Sequence, residues 1–186
     1  SQMYPSDFLT SVSVDELSEH LCGRSRPGHF RGVATVVAKL FNAVGPARAY
    51  FGQKDAQQVR IIQQMVADLA VPVKIEVLPI VRERDGLALS SRNAYLSAAE
   101  RADAPVLFQA LEEARQLIRA GVRSSARIAR RMRALIDARP CARIDYVSLV
   151  DPRTLRPVAR IMRPVLISLA VFFGRTRLID NCVVTP

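Results

Sequence analysis

The stretch of this sequence best suited to chemistry is residues 85–93, Asp-Gly-Leu-Ala-Leu-Ser-Ser-Arg-Asn, called here the Ser-Ser-Arg loop. Its opening Asp-Gly pair is typical of a tight turn, because glycine tolerates a positive φ. Ser90 and Ser91 then offer two hydroxyl donors, and Arg92 adds a planar guanidinium that suits phosphate oxygens. The pattern indicates a mobile phosphate-binding loop, although a loop of this kind standing alone is more often a polar connection between domains.

A second candidate is the turn at residues 52–55, Gly-Gln-Lys-Asp, called here the glycine turn. It precedes a predicted helix at residues 57–69. Gly52 lets the backbone approach a ligand closely, and Lys54 adds a positive charge to a helix N-terminus that already attracts anions. The signal is weak alone, because most such turns bind nothing. Asp55 also has a simpler explanation, since a carboxylate in a first helical turn interacts favourably with the helix dipole.

Composition limits the class of protein. The chain has 186 residues, of which 49% are hydrophobic, enough for one large domain or two small ones with a real core. No apolar run approaches the roughly 20 residues that span a bilayer, and residues 1–5 lack the basic and apolar regions of a signal peptide. The three cysteines are widely spaced. We therefore expect a cytoplasmic protein with no membrane anchor, no disulfide framework and no zinc site.

The net charge of +10 permits binding to a polyanion. Nine arginines fall between Arg115 and Arg143, on a predicted pair of helices. No aromatic residue is interleaved with them and no nucleic-acid motif is present, so a solvated helix face is the favoured interpretation. A nucleic-acid surface remains the alternative.

The first half alternates helices and strands. A helix is predicted from His29 to the Gly45-Pro46 break, with one buried apolar face made by Val33, Val36, Val37, Leu40 and Phe41. Strands are predicted at 47–51 and 73–78, which with the intervening helix indicates parallel pairing. Two parallel strands are not expected to stand alone. We infer that these residues are the later part of a larger doubly wound domain, or that something else completes the sheet.

The second half predicts helices followed by antiparallel strands. Ser97 and Glu100 form a capping-box pattern, and the helix that follows runs to Ala120 with a kink or restart at Pro105. Another helix is capped by Ser124 or Ser125. Strands are predicted at 143–150, 165–173 and 177–183, the last two forming a hairpin.

Four segments together resemble the pantoate-β-alanine ligase family in order and spacing. They are residues 25–33 (Ser-Arg-Pro-Gly-His-Phe-Arg-Gly-Val), 50–58 (Tyr-Phe-Gly-Gln-Lys-Asp-Ala-Gln-Gln), 85–93, and 177–181 (Arg-Leu-Ile-Asp-Asn). The resemblance runs from about Met3 to the C-terminus. It implies an α/β fold, in which part of a Rossmann-like adenylyltransferase nucleotide domain (1–81) is followed by a small α+β domain (82–186) that begins with the phosphate-clamping loop. It also implies a cytoplasmic homodimer.

The resemblance implies a ligase reaction in two steps. The pantoate carboxylate attacks the α-phosphorus of Mg-ATP, giving pantoyl adenylate and pyrophosphate, and the amine of β-alanine then displaces AMP to form pantothenate. A carboxylate is already ionised at neutral pH, so the first step needs no general base. It needs positioning of the reactants and stabilisation of charge on the triphosphate.

The family's functional residues carry over by position. The resemblance implies that four residues contact the phosphates and act in catalysis: Lys54, Ser90, Ser91 and Arg92. The implied ATP-binding set adds Gly52, Gln53, Asp55, Val81 and Leu89. The implied pantoate-binding set is Gln58, Val33, Val36 and Val37, although the spacing of the valines is already explained by core packing. Mg²⁺ enters with ATP as part of the substrate, and no metal bound by protein ligands is expected.

One family feature has no counterpart in these 186 residues. The His-x-Gly-His motif that stabilises the adenylation transition state is absent, as is a second pantoate-binding glutamine, and His20 and His29 do not have the motif's spacing. His29 is interpreted as a local hydrogen-bonding residue. We expect this chain alone to be inactive or very weak, as a fragment, a truncated gene product or one piece of a split enzyme. The alternatives are a non-catalytic dimerisation fragment and, less favoured, the arginine-rich nucleic-acid binder.

Overall fold

The computed structural model describes residues 3–186, and the chain divides into two units. Unit 1 consists of Ser1–Tyr50 and Gln57–Glu76, and unit 2 consists of Phe51–Ala56 and Val77–Pro186. Ser1 and Gln2, which begin the predicted domain 1–81, lie outside the described residues. The domain boundary between residues 81 and 82 stays a prediction.

The first part of the chain forms a parallel sheet with helices between and before its strands. The elements are α1 (Cys22–Ser25), α2 (His29–Val44), β1 (Arg48–Gly52), α3 (Ala56–Asp68) and β2 (Lys74–Leu78). In the part of the chain that the structure describes, this sheet has two strands, β1 and β2. The predicted alternation of strand, helix and strand is therefore present.

Helix α2 is flanked by glycines, and its start at His29 and its end at Gly45 agree with the prediction. Gly28 and Gly45 both adopt positive φ, at 77° and 61°, and the Gly45 N–H donates to the Phe41 carbonyl at 2.8 Å. Only a residue without a Cβ takes up this left-handed conformation without strain. These glycines fix both ends of the helix.

The buried face of α2 differs from the predicted one. The fully buried apolar row is Phe30, Ala34, Val37 and Phe41. Val33 and Val36 are only half-buried, and Leu40 is 42% exposed. The prediction is confirmed for Val37 and Phe41 and wrong for Val33, Val36 and Leu40. The apolar pattern weights large side chains, whereas the packed face includes the small Ala34. The half-buried valines leave apolar surface on the neighbouring face of the helix.

The irregular segment before α2 is fixed to α3 by one buried side chain. The Gln57 Oε1 accepts from the Cys22 N–H at 3.0 Å, and its Nε2 donates to the carbonyls of Leu17 and His20 at 2.8 and 2.7 Å. A buried amide needs such partners to offset its loss of hydration. Gln57 thus has a structural role, which separates it from its neighbour Gln58.

Unit 2 packs helices against an antiparallel sheet. Its elements are α4 (Ala98–Asp103), α5 (Val106–Arg119), α6 (Ser125–Asp137), β3 (Ala142–Val150), β4 (Val165–Phe173) and β5 (Thr176–Val184). The strand order is β3-β4-β5, with both neighbouring pairs antiparallel. The central strand β4 is almost wholly buried, which agrees with its continuous apolar sequence.

The predicted helix boundaries in unit 2 are confirmed. Ser97 and Glu100 form both hydrogen bonds of a capping box at α4, and Ser124 caps α6 by accepting from the Arg127 N–H. The long predicted helix restarts at Pro105, because proline cannot donate the backbone hydrogen bond that would continue it.

The core of unit 2 can be tested at two methionines. Met132 on α6 is fully buried, whereas Met162 is 68% exposed. We expect Met132→Ala to lower the free energy of unfolding by about 2–5 kcal/mol, because it removes buried contacts and leaves a cavity. Met162→Ala is the matched control, with an expected loss of under about 0.5 kcal/mol. Urea denaturation followed by circular dichroism measures both, and equal losses would contradict this packing.

Candidate functional site

The glycine turn joins β1 to α3. Gly52 is the last residue of β1, a 3-10 turn covers Gln53–Asp55, and α3 begins at Ala56. These residues belong to unit 2, together with the whole Ser-Ser-Arg loop. This 3-10 turn and a second one, Ser91–Tyr95, which begins within the Ser-Ser-Arg loop, both pack against β5. The two segments singled out for phosphate binding are therefore brought to the same strand.

Asn181 on β5 binds the backbone of the glycine turn. Its Nδ2 donates to the Gln53 carbonyl at 3.0 Å and to the Lys54 carbonyl at 2.9 Å. In return, the Gln53 Nε2 donates to the Asn181 Oδ1 at 3.1 Å. The two consecutive carbonyls of the turn are thus directed towards β5.

The preceding residue, Asp180, forms a buried ion pair. Its carboxylate is 1% exposed and accepts from both terminal nitrogens of Arg82, at 2.6 and 3.0 Å. Burial raises the pKa of Asp180, while the Arg82 hydrogen bonds and charge act in the opposite direction, with a smaller contribution from the positive charge of Lys54. Its Oδ1 also accepts from the Asn181 N–H at 2.8 Å. Asp180 thereby connects the guanidinium to the residue that binds the glycine turn.

Arg82 also fixes the start of the Ser-Ser-Arg loop. Its Nη1 donates to the Gly86 carbonyl at 2.9 Å, and its guanidinium lies 4.7 Å from the centre of the Phe108 ring. Gly86 has a φ of 90°, and a Cβ there would collide with the same ring. A glycine is required at this turn on both counts. The turn itself closes through the Glu83 N–H, which donates to the Leu87 carbonyl at 2.8 Å.

Arg101 on α4 binds the residues that lead into the Ser-Ser-Arg loop, Glu83 to Asp85, called here the base of the loop. Its two terminal nitrogens donate separately to Glu83 at 2.7 Å and to Asp85 at 2.6 Å. Asn93, at the end of the loop, donates to the same Glu83 carboxylate at 2.7 Å and to the Ala88 carbonyl at 3.2 Å. The hydrogen bonds from Arg101 are the largest cause that lowers the pKa of both Glu83 and Asp85.

The predicted phosphate donors lie beyond this fixed base. Ser90 is half-buried and caps the 3-10 turn Ser91–Tyr95 by accepting from the Arg92 N–H at 3.3 Å. Ser91 and Arg92 are exposed. A loop with a braced base and exposed hydroxyl and guanidinium groups can present several donors to one anion.

The other predicted nucleotide contacts also belong to unit 2. Val81 and Leu89 are 65% and 56% exposed, and the Leu89 N–H donates to the Val81 carbonyl at 2.9 Å. Gly52 and Asp55 are exposed, while Lys54 is half-buried. Exposed apolar side chains beside cationic and hydroxyl groups suit a ligand with both a flat ring and phosphates.

The predicted pantoate-binding residues belong to unit 1. Gln58 lies on α3 and is half-buried, and Val33 and Val36 on α2 are half-buried as well. Val37 is 8% exposed and packs in the core. Among these residues, Gln58, Val33 and Val36 retain accessible surface, whereas Val37 does not.

Sequence reasoning did not find the supporting residues Arg82, Arg101 and Asn181. The only signal was the polar pair Asp180 and Asn181, which lies between apolar residues of a strand and within the segment 177–181. A buried polar pair in a strand needs partners, but the sequence does not show which residues supply them.

Three further features bear on function: metal ligands, membrane-spanning helices and His29. Across residues 3–186, no group of three or more His, Cys, Asp or Glu side chains is placed to hold a metal ion. Every helix in that range is too short or too polar to span a bilayer. His29 lies 2.9 Å from the Arg26 guanidinium through its Nε2, which agrees with a local hydrogen-bonding role.

The chain matches a known protein family over nearly its whole length. Residues 1–183 match the family model described as Pantoate-beta-alanine ligase. The pantothenate synthetases of Caldicellulosiruptor saccharolyticus and Heliobacterium modesticaldum are 55% and 56% identical to the chain over 183 residues. Each match covers 98% of this chain and 65% of the relative. The chain thus spans just under two thirds of the length of these relatives.

Solved structures show the same likeness. The pantothenate synthetase of Thermus thermophilus is 47% identical with a TM-score of 0.95, covering 100% of this chain and 67% of that one. The pantoate-beta-alanine ligase of Francisella tularensis, solved in complex with beta-gamma ATP and beta-alanine, is 31% identical with a TM-score of 0.74. That match covers 97% of this chain and 60% of the other. These structures confirm the predicted fold class.

The contacts of Arg101 predict a pH dependence of stability. A carboxylate whose pKa is lowered by folding contributes stability above its unfolded pKa, and this is lost as the pH falls through the folded value. We expect Arg101→Gln to lower the urea midpoint at pH 7, because the pKa values of Glu83 and Asp85 are lowered mainly by Arg101. The difference from the unsubstituted chain should shrink below about pH 4, where carboxylates become protonated.

Arg119→Gln is the matched control for charge. Arg119 is exposed on α5, and within residues 3–186 no ion pair is found for it. We expect its urea midpoint to differ little from that of the unsubstituted chain at either pH. An Arg101→Gln deficit that stays constant from pH 7 to pH 3 would contradict the assigned ion pairs.

Proposed function

Because this chain belongs to the pantoate-β-alanine ligase family, we propose that it takes part in the ATP-dependent condensation of pantoate with β-alanine. The reaction proceeds through pantoyl adenylate and gives pantothenate, AMP and pyrophosphate. Since the chain covers 65% of the length of its relatives, we assign to it the residues that bind the phosphates of ATP and part of the pantoate site. We further propose, from the family alone, a homodimer in the cytoplasm.

The observation that supports this proposal best is that two segments predicted to bind phosphate pack against the same strand, β5. The glycine turn and the 3-10 turn Ser91–Tyr95 both pack against β5. The first carries Lys54, and the second carries Ser91 and Arg92. In a triphosphate, charge is spread over many oxygens, so a site made of several separate donors is required.

We assign the residues of unit 2 to ATP. Lys54, Ser90, Ser91 and Arg92 neutralise and orient the phosphates, and Mg²⁺ arrives with ATP as part of the substrate. Gly52, Gln53 and Asp55 contact the ribose side of the nucleotide. The Val81 backbone contacts adenine, and Leu89 belongs with Ser90, Ser91 and Arg92 to the loop that clamps the phosphates. Both Val81 and Leu89 are exposed, as such contacts require.

We assign four residues of unit 1 to pantoate. Gln58 provides an amide that hydrogen-bonds the hydroxyl or carboxylate groups of pantoate. Val33, Val36 and Val37 provide the apolar wall against its gem-dimethyl group. The half-burial of Val33 and Val36 leaves the apolar surface that such a wall requires.

The first chemical step depends on positioning and not on a general base. The pantoate carboxylate is already ionised at neutral pH, so the protein's task is to align it with the α-phosphorus and to stabilise negative charge. The His-x-Gly-His motif that serves this second task in the family is absent from the 186 residues. Binding of ATP and turnover are therefore separable in this chain.

We expect the chain to bind Mg-ATP while showing very low or no turnover. Lys54→Ala and Arg92→Ala should each weaken ATP binding by about tenfold to a hundredfold, because a hydrogen bond to a charged group contributes about 1.5–3 kcal/mol. Isothermal titration measures the Kd. Release of AMP and pyrophosphate with pantoate and β-alanine present measures turnover, with the Thermus thermophilus enzyme as a full-length reference.

Arg119→Ala removes the same charge from an exposed position on α5 and is the control, for which no change in Kd is expected. Turnover close to that of the reference enzyme would contradict the separation of binding and catalysis. Dimer formation with no detectable ATP binding would favour the non-catalytic dimerisation fragment instead. Binding to RNA that falls steeply with salt would favour the arginine-rich surface.

A further inference from the structure

The segment 177–181 contributes to the family resemblance, yet the proposed function gives it no task. Its last two residues are buried although both are polar, with Asp180 1% and Asn181 2% exposed. Their side chains point to opposite faces of β5, because successive residues in a strand alternate. One face meets Arg82, and the other meets the glycine turn.

We propose that Asn181 is a positioning residue that sets the backbone of the glycine turn for binding the nucleotide. The inference rests on the proposed function, in which Gly52, Gln53, Lys54 and Asp55 contact ATP. It adds a residue that touches no substrate and acts through the turn.

The contacts of Asn181 set the direction of two peptide planes in the glycine turn. A trans peptide is planar, so the carbonyl and the following N–H point in opposite directions, and no cis peptide occurs in the described chain. Asn181 binds the carbonyls of Gln53 and Lys54. It thereby directs the N–H groups of Lys54 and Asp55 away from β5. A helix N-terminus attracts anions through such groups only when they are correctly aimed.

Both the nitrogen and the oxygen of the Asn181 side-chain amide bind the glycine turn. Its two Nδ2 hydrogens have one carbonyl each, and its Oδ1 accepts from the Gln53 side chain. A 3-10 turn of three residues has little hydrogen bonding of its own. The conformation of this turn therefore depends on a side chain that lies 127 or 128 positions later in the chain.

The same network reaches the Ser-Ser-Arg loop. Asp180 accepts from the Asn181 N–H and from Arg82, and Arg82 donates in turn to the Gly86 carbonyl. Both phosphate-type segments are thus held by polar groups that meet at β5. Loss of Asn181 should disturb the glycine turn and leave the contacts of Arg82 in place.

The matched control is Ser168 on β4. It lies directly opposite Asn181 in the strand register, is likewise polar and buried, and bonds Tyr146 through its hydroxyl. Opposed residues share one face of a sheet. Ser168→Ala therefore removes a buried polar group beside Asn181 without removing a bond to the turn.

The test compares Asn181→Ala, Asn181→Asp and Ser168→Ala in the full 186-residue chain. Amide hydrogen exchange reports the order of residues 52–56, and isothermal titration gives the Kd for Mg-ATP. We expect Asn181→Ala to speed exchange in the turn by about tenfold and to raise the Kd by about tenfold, since both hydrogen bonds to the turn's carbonyls and the one from the Gln53 side chain are lost. Asn181→Asp has the same size but cannot donate to the carbonyls, so it should not restore either value.

Ser168→Ala should leave the Kd for Mg-ATP and the exchange rates of residues 52–56 equal to those of the unsubstituted chain. If Asn181→Ala does not fold, Asn181→Ser keeps one donor and should show an intermediate effect of about threefold. Equal behaviour of the Asn181 and Ser168 variants, or a raised Kd without faster exchange in the turn, would overturn the inference. Failure of the unsubstituted chain to bind Mg-ATP would refute the proposed function, and the exchange rates would still decide the role of Asn181.

Discussion

The interaction on which unit 2 depends is the ion pair between Asp180 and Arg82. A carboxylate that is 1% exposed is costly to desolvate, and the cost is offset only when a partner and further hydrogen bonds satisfy its oxygens. Arg82 supplies two bonds and the Asn181 N–H supplies another. Because Arg82 lies three residues before Asp85, the first residue of the Ser-Ser-Arg loop, this pair fixes where the loop begins relative to β5.

The same guanidinium then limits the conformation of the loop. Arg82 donates to the Gly86 carbonyl and lies over the Phe108 ring, which leaves no room for a side chain at Gly86. Arg101 fixes Glu83 and Asp85 from the other side. The base of the loop is thus ordered by ion pairs, of which only the one with Asp180 has a buried carboxylate, while Ser91 and Arg92 remain exposed. Such preorganisation lowers the entropy lost when an anion binds.

Much of this fold follows from local sequence rules, whereas the support of the site does not. The helix ends at Gly45, Ser97 and Pro105 depend on residues within one turn, and the apolar run of β4 identifies a central strand without further information. The buried face of α2 was predicted only in part, since tertiary packing buries Val37 and Phe41 together with Ala34 and leaves Leu40 exposed. The partner of Asn181 lies 127 or 128 positions away, a separation at which no periodic pattern operates.

The proposed function separates nucleotide binding from chemistry, and the placement of these contacts supports that separation. The residues assigned to the triphosphate and the residues that order them, Arg82, Arg101 and Asn181, lie together in unit 2. None of their hydrogen bonds requires the histidine motif. Stabilising the adenylation transition state is a different task, since it needs donors aimed at charge that develops only during the reaction. A chain with the first set of groups and without the second is expected to hold ATP in an ordered site while leaving the α-phosphorus unreactive.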